Sequence, residues 1–314
     1  MKLVIIEPMG VEQEKLLSMA QEALPEDLET VYYDTRVTGT KELIERGKDA
    51  DIIVVSNLPM NSEVIEGCKN LKLLSVAFTG VDHIAMDTCR KNGVTVCNCA
   101  GYSTVAVADL VFGMVISLYR NIIPCNAAVR NEGTKDGLVG FELKGKKFGS
   151  VGTGAIGLRT ARIARAFGCE VYAYSRTVKE IEGVTYVPLD ERLSVCDIVS
   201  LHTPLTPETK GLIGKKELSM MKKSAILINT ARGPVVDSDA LAGALKEGRI
   251  AGACIDVFEN EPPVRKDHPL FSAPNTIVTP HVAFATKEAL VKRAVIVFDN
   301  VVNYLDGTPR NVIG

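Results

Sequence analysis

Arg232, Glu261 and His281, spread over the C-terminal half, form a set that can bind an acid and move a proton. A guanidinium gives bidentate bonds to a carboxylate, polarises a keto oxygen and stays charged at working pH. An imidazole takes the proton of a hydroxyl or returns it to a carbonyl. A carboxylate beside the ring orients it and favours its protonated form. Upstream lies Gly152-Thr153-Gly154-Ala155-Ile156-Gly157, a glycine-rich turn able to hold a dinucleotide. Acid binding, proton transfer and a dinucleotide are together what hydride exchange with a 2-hydroxy or 2-keto acid requires.

The glycine turn follows an apolar strand, Phe148–Val151, and opens a helix, the context that gives such a motif its meaning. Gly152 permits the tight turn, Gly154 lets a pyrophosphate approach the backbone, and Gly157 lets helix and strand pack closely. Ala155 and Ile156 begin the helix, whose free amides and positive dipole suit phosphates. The next strand ends in Tyr174-Ser175-Arg176-Thr177, with Lys179 nearby. A carboxylate there would bond ribose hydroxyls and repel a 2′-phosphate. Ser175, Arg176 and Thr177 can instead bind that phosphate, so the expected cofactor is NADP, with NAD the alternative.

The elements that must position these residues alternate strand and helix. Apolar runs at Leu3–Ile6, Val31–Tyr33, Ile52–Val55, Leu73–Phe78 and Val94–Cys97 are separated by helical patterns such as Glu12 to Ala23 and Ser62 to Lys69. That rhythm predicts a parallel sheet with helices on both faces, a small flavodoxin-like α/β domain. The second half repeats it with strands at Lys147–Val151, Glu170–Tyr174, Ile198–Leu201, Ala225–Asn229, Gly252–Val257 and Thr276–Thr279. Helices are expected from Ala155 to Ala166 and from Ser238 to Glu247, the latter with Ser238 at its N-cap. The pattern fits a Rossmann-type doubly wound sheet. A final helix, Lys287 to Tyr304, has no strand partner of its own. The economical arrangement is a dinucleotide-binding domain, 101–283, inserted in a smaller substrate or lid domain, 1–100 plus 284–314. The crossings near Ala100–Thr104 and Val282–Thr286 would form the hinge.

Composition agrees with this class. At 314 residues, 46% hydrophobic and 24% charged, the chain can form two domains of a soluble globular protein. A formal net charge of -2 gives no footprint for nucleic acid or an anionic membrane. Met1 to Pro8 reads as a first strand, too short for a signal-peptide core. The most apolar stretch, Val105 to Leu118, is interrupted by Asp109 and Ser117 and falls short of a membrane span. The eight cysteines have no Cys-x-x-Cys and there is no histidine cluster, so no metal site is expected. They read as small buried hydrophobes in a reducing cytoplasm.

Three runs carry a resemblance: Leu201-His202-Thr203-Pro204-Leu205-Thr206-Pro207, Ile228-Asn229-Thr230-Ala231-Arg232-Gly233-Pro234, and Asp256-Val257-Phe258-Glu259-Asn260-Glu261-Pro262-Pro263 followed by Thr279-Pro280-His281. They resemble the D-isomer-specific 2-hydroxyacid dehydrogenase family over almost the whole chain. The resemblance implies a nucleotide core with a lid domain, usually as a homodimer. It implies Arg232 as carboxylate binder, His281 as acid/base and Glu261 as its partner. It further implies Thr203, Pro204, Thr230 and Ala231 along the cofactor and Asp256 on the nicotinamide carboxamide. His202 reads equally as a structural residue or as a cofactor contact.

On the lid side Phe78-Thr79-Gly80-Val81-Asp82-His83 looks like the family's substrate loop, with the amides near Thr79, Gly80 and Val81 taking the substrate carboxylate. His83 reads as structural. In Tyr102-Ser103-Thr104, Thr104 is expected as a helix cap and cofactor contact. Tyr102, taken as a substrate-side residue, resembles the glycerate dehydrogenase and glyoxylate/hydroxypyruvate reductase branch. One departure stands out: the family usually has glycine two residues after the histidine, whereas this chain has Ala283 and then Phe284. The expectation is reduction of a small 2-keto acid such as glyoxylate or hydroxypyruvate. The alternatives are a D-3-phosphoglycerate dehydrogenase lacking a regulatory domain, since the sequence stops at Gly314, and a nucleotide-sensing, co-repressor-like binding protein.

Overall fold

The computed structural model describes residues 1–178 and 180–313, so Lys179 of the cofactor argument lies outside the described residues. The chain divides into two compact units, Met1–Ser103 with Ala285–Gly314, and Thr104–Phe284. The first unit begins β1 (Lys2–Ile5), α1 (Gln13–Ala23), β2 (Glu29–Tyr32), α2 (Thr40–Gly47) and β3 (Ile52–Val55). It continues α3 (Ser62–Gly67), β4 (Leu73–Val76), α4 (Met86–Lys91) and β5 (Thr95–Cys97). These strands form one parallel sheet in the order β2-β1-β3-β4-β5, the flavodoxin-like order. Every residue of β3 and β4 is buried, as expected of strands covered on both faces.

The second unit runs through α5 (Thr104–Tyr119), α6 (Ile122–Arg130), β6 (Lys147–Val151), α7 (Ala155–Ala166), β7 (Glu170–Tyr174) and β8 (Val184–Tyr186). Then come α8 (Leu189–Val195), β9 (Ile198–Leu201), α9 (Lys215–Met220), β10 (Ile226–Asn229), α10 (Ser238–Lys246), β11 (Gly252–Ile255) and β12 (Thr276–Val278). The sheet is parallel, ordered β12-β11-β10-β9-β6-β7-β8, with its topological switch between β6 and β9. Apolar clusters cover both faces. One holds α8 and α10 side chains such as Leu193 and Leu241, the other α5 and α7 side chains such as Val111 and Ala164. The chain then returns to the first unit as α11 (Lys287–Leu305), capped by Thr286, whose Oγ1 accepts the Ala289 amide at 3.1 Å. Its buried residues Ala294, Val297, Phe298 and Val301 recur at helical spacing and face β4 and α1.

Three expectations change. The sheet has seven strands, because Val184–Tyr186 adds an edge strand beside β7. The cap of α10 is Asp237, whose Oδ1 accepts the Ala240 amide at 2.9 Å, while Ser238 is the first helical residue. Thr104 is likewise the first residue of α5.

Candidate active site

The residues singled out in the second unit follow the carboxyl ends of six strands: Gly152 after β6, Ser175 after β7, His202 after β9, Thr230 after β10, Asp256 after β11 and His281 after β12. Strand ends beside a topological switch point are where open α/β sheets bind ligands.

At the glycine turn, Gly152 has φ 103°, and a Cβ there would lie 2.5 Å from the His202 carbonyl oxygen. Only glycine meets both conditions. The turn is held by the Gly152 amide on the Tyr174 carbonyl at 2.8 Å and the His202 amide on the Val151 carbonyl at 2.7 Å. Gly157 packs as tightly, 2.2 Å from an added Cβ to the Gly152 oxygen. Gly154 is the opposite case: a Cβ there would meet nothing within 4 Å, so its surface is open to a ligand. The first backbone bond of α7 is Leu158 to Gly154 at 3.0 Å, so the amides of Ala155, Ile156 and Gly157 have no acceptor within the helix.

Three buried hydroxyls near this edge, Thr153, Thr203 and Thr230, make no hydrogen bond within the protein. Buried polar atoms are normally satisfied, so these match a polar ligand lying along the strand ends. Open amides, an open glycine and orphaned hydroxyls fit a nicotinamide dinucleotide. Beyond β7, Ser175 is half-buried and Arg176 and Thr177 are exposed; Pro204 is exposed and Ala231 half-buried. The His202 Nε2 lies 3.0 Å from Ser200 Oγ, and burial pulls its pKa down to about 4, so the ring is neutral at working pH.

Arg232 leads into the short 3-10 turn Gly233–Val235. Its carbonyl accepts Asn229 Nδ2 at 2.9 Å, and Asn229 Oδ1 accepts the Ala231 amide at 3.0 Å. The buried Asn229 thus braces the arginine loop, a role its sequence context did not mark. Glu261 Oε1 lies 2.6 Å from His281 Nδ1, and its Oε2 accepts the Phe258 amide at 3.0 Å. The carboxylate is therefore anchored at one oxygen and presented to the ring at the other. Phe284 meets the His281 ring edge-on, with centroids 5.4 Å apart and planes at 85°. Phe284, which follows the Ala283 that departs from the family pattern, thus packs on the imidazole itself.

Asp256 follows β11 at the same strand edge. Its side chain is fully buried, and its oxygens accept Thr279 Oγ1 at 2.5 Å and the Val282 and Ala283 amides at 2.9 Å each. Its carbonyl accepts the His281 amide at 2.7 Å. Burial raises its pKa, against which these bonds act. Asp256 ties down the loop of His281, which sits at φ 54°, an uncommon conformation for a residue with a side chain.

In the first unit, Thr79 is exposed and Gly80 and Val81 are half-buried just beyond β4. Asn98 Nδ2 donates to the Thr79 carbonyl at 2.7 Å, pinning the loop from below. Tyr102 is buried, with its ring 6.3 Å from Phe78 and the Arg293 guanidinium 5.7 Å from its centroid. Burial pushes its phenol up to about 12. Tyr102 therefore packs behind the Phe78 loop. Among the described residues no cluster of histidine, cysteine and carboxylate side chains could hold a metal.

Residues 112–283 match the family model described as D-isomer specific 2-hydroxyacid dehydrogenase, NAD binding domain. A hydroxypyruvate reductase of Blautia hydrogenotrophica is 35% identical, the match covering 100% of this chain and 99% of that protein. A glyoxylate reductase of Thermococcus litoralis is 40% identical over 86% of each chain. Among solved structures, an acyclic imino acid reductase (Bsp5) in complex with NADPH and D-Arg superposes with a TM-score of 0.92 at 31% identity, covering 100% of both chains. The chain belongs to the D-isomer-specific 2-hydroxyacid dehydrogenase family. It is an NAD(P)-dependent oxidoreductase acting on CH–OH groups.

Proposed function

We propose that this protein reduces a small 2-keto acid, glyoxylate or hydroxypyruvate, to the D-2-hydroxy acid, with NADPH preferred, as a homodimer in the cytoplasm. The observation that carries the reading is the Glu261–His281 pair at 2.6 Å, on the strand edge that also bears the dinucleotide turn and Arg232. The names of the hydroxypyruvate and glyoxylate reductases it resembles support the substrate class. The eight cysteines, all unpaired, support a reducing compartment.

When bound, the nicotinamide supplies the hydride. Arg232 takes the substrate carboxylate and polarises the keto oxygen. The family resemblance assigns the amides around Thr79, Gly80 and Val81 to the substrate carboxylate as well. His281 engages Glu261 through Nδ1, which assigns proton delivery to Nε2. Glu261 orients the ring through its contact with Nδ1. Thr104, Thr203, Pro204, Thr230 and Ala231 line the cofactor. Asp256 bonds the nicotinamide carboxamide and also fixes the His281 loop.

A panel of small 2-keto acids assayed with NADH and NADPH tests the reading. Turnover is expected with glyoxylate or hydroxypyruvate, at higher kcat/KM for NADPH, and Ser175→Asp should move preference toward NADH. Cofactor binding without turnover of any keto acid would favour the nucleotide-sensing alternative. A wild-type preference for NADH would remove the NADP assignment alone.

A further inference from the structure

The second unit holds a cation that the reaction does not use. Arg192, on α8, is 0% exposed. Its Nη1 donates to the Ser150 carbonyl at 2.6 Å, while Nε and Nη2 have no hydrogen-bond partner. Among the described residues no carboxylate pairs with it. Its guanidinium carbon lies 5.3 Å from the centroid of the Tyr174 ring. The side chain reaches there along Gly149, where an added Cβ would lie 2.6 Å from Arg192 Cδ. Burial pulls the guanidinium down to about 10, so it still carries its charge at neutral pH.

A lone buried charge is one of the more expensive things a core can contain. Where such a group persists, the counter-charge is worth seeking. Arg192 sits directly under two strand ends. Ser150 is two residues before Gly152, Tyr174 is the residue before Ser175, and the Gly152 amide bonds the Tyr174 carbonyl at 2.8 Å. The pyrophosphate side of the turn belongs to α7, which packs on the opposite face of the sheet from α8. The guanidinium instead lies against Tyr174, the last residue of β7 and the one that leads into Ser175–Thr177. The exposed Arg176 in that segment already has a carboxylate in electrostatic reach, Glu208. Arg192 has none.

We infer that Arg192 is a specificity-determining residue: a buried positive charge beneath Tyr174 that favours a cofactor phosphorylated on the adenosine 2′-hydroxyl. The inference rests on the NADP reading above and deepens it. A charge behind a low-dielectric wall is screened less than one in water, so it acts on an anion that it does not touch.

The test is equilibrium binding, read by calorimetry, of 5′-AMP against adenosine 2′,5′-bisphosphate, which differ only in the 2′-phosphate. Wild type should prefer the bisphosphate. Arg192→Met should cut that preference by roughly tenfold, on the scale of one charge acting at an effective dielectric of about 20. 5′-AMP affinity should stay nearly unchanged. Arg192→Lys, which keeps the charge, should retain most of the preference. Arg176→Ala, at an exposed position that does not endanger folding, should leave a residual preference that the buried charge maintains. An equal loss on both ligands in Arg192→Met makes the residue merely structural and overturns the inference. So does a preference abolished outright by Arg176→Ala. A wild type that binds both ligands alike would instead strike the NADP reading, and this inference with it, before any variant is made.

Discussion

His281 is fixed from several directions at once: by Glu261 at Nδ1, by the Asp256 carbonyl at its own amide, and by Phe284 against its ring. Held this way, the proton donor proposed above needs no reorganisation when the substrate arrives. His281→Ala should lower kcat about a hundredfold or more, the usual contribution of a positioned acid/base, with little change in thermal stability. Glu261→Gln keeps the shape and withdraws the negative charge. The ring then loses the ion pair that holds Nδ1, and proton delivery from Nε2 depends on that orientation. Keto-acid reduction should therefore fall in kcat by about tenfold or more, with KM for the keto acid nearly unchanged. Steady-state kinetics measure this. A kcat that does not move removes Glu261 from the proton path.

At the scale of the element, the glycine turn separates two functions that sequence pattern alone assigns together. Gly152→Ala should lower Tm, because the new Cβ meets the His202 carbonyl at 2.5 Å and the backbone is at φ 103°. Gly154→Ala meets nothing within 4 Å, so Tm should hold while dinucleotide affinity falls; melting curves with and without cofactor distinguish the two. If Gly154→Ala binds cofactor normally, the open surface there is not the phosphate site. The sheet itself was legible, because strands such as Ile52–Val55 and Ile226–Asn229 are buried throughout and read as unbroken apolar runs. The edge strand Val184–Tyr186 escaped notice since it has three residues, none of them fully buried. Sequence alone does not place the cap of α10, because Asp237 and Ser238 are both good capping types and only the bond to the Ala240 amide decides between them. In the site, the chemical residue types at strand ends could be read directly. Their supports could not: Asn229, the buried side of Asp256 and the lone charge of Arg192 depend on partners brought in from other elements. Leu189-Asp190-Glu191-Arg192 looks like any solvated helix turn until β6 and β7 close over it.

At the scale of the whole molecule, the uncovered apolar surface bears on assembly. The apolar residues of α5 nearly encircle it in sequence, which by itself suggests a face in need of cover. The structure supplies much of that cover within the chain, where Val111, Phe112, Met114 and Val115 are buried and α5 packs against α7 and β11. No single helix among the described residues is long and apolar enough to cross a membrane, and α5 and α6 meet at a 55° bend. The need for cover moves instead to α6, which has no buried residue at all. Ile123 and Val129 on it are 56% and 70% exposed, and Val139 and Phe141 just beyond are 79% and 62% exposed. Apolar side chains exposed in this number are a recurrent mark of an interface between subunits. A second copy of the chain seated there is the homodimer proposed above, with a self-complementary contact. Light scattering at micromolar concentration should give twice the 33.9 kDa chain mass. Ile123→Glu with Val129→Glu should shift the mass to that of one chain and leave the unfolding transition of the second unit intact, because neither side chain contributes to its core. A wild-type monomer, or a double variant that remains a dimer, would place the contact elsewhere or remove it.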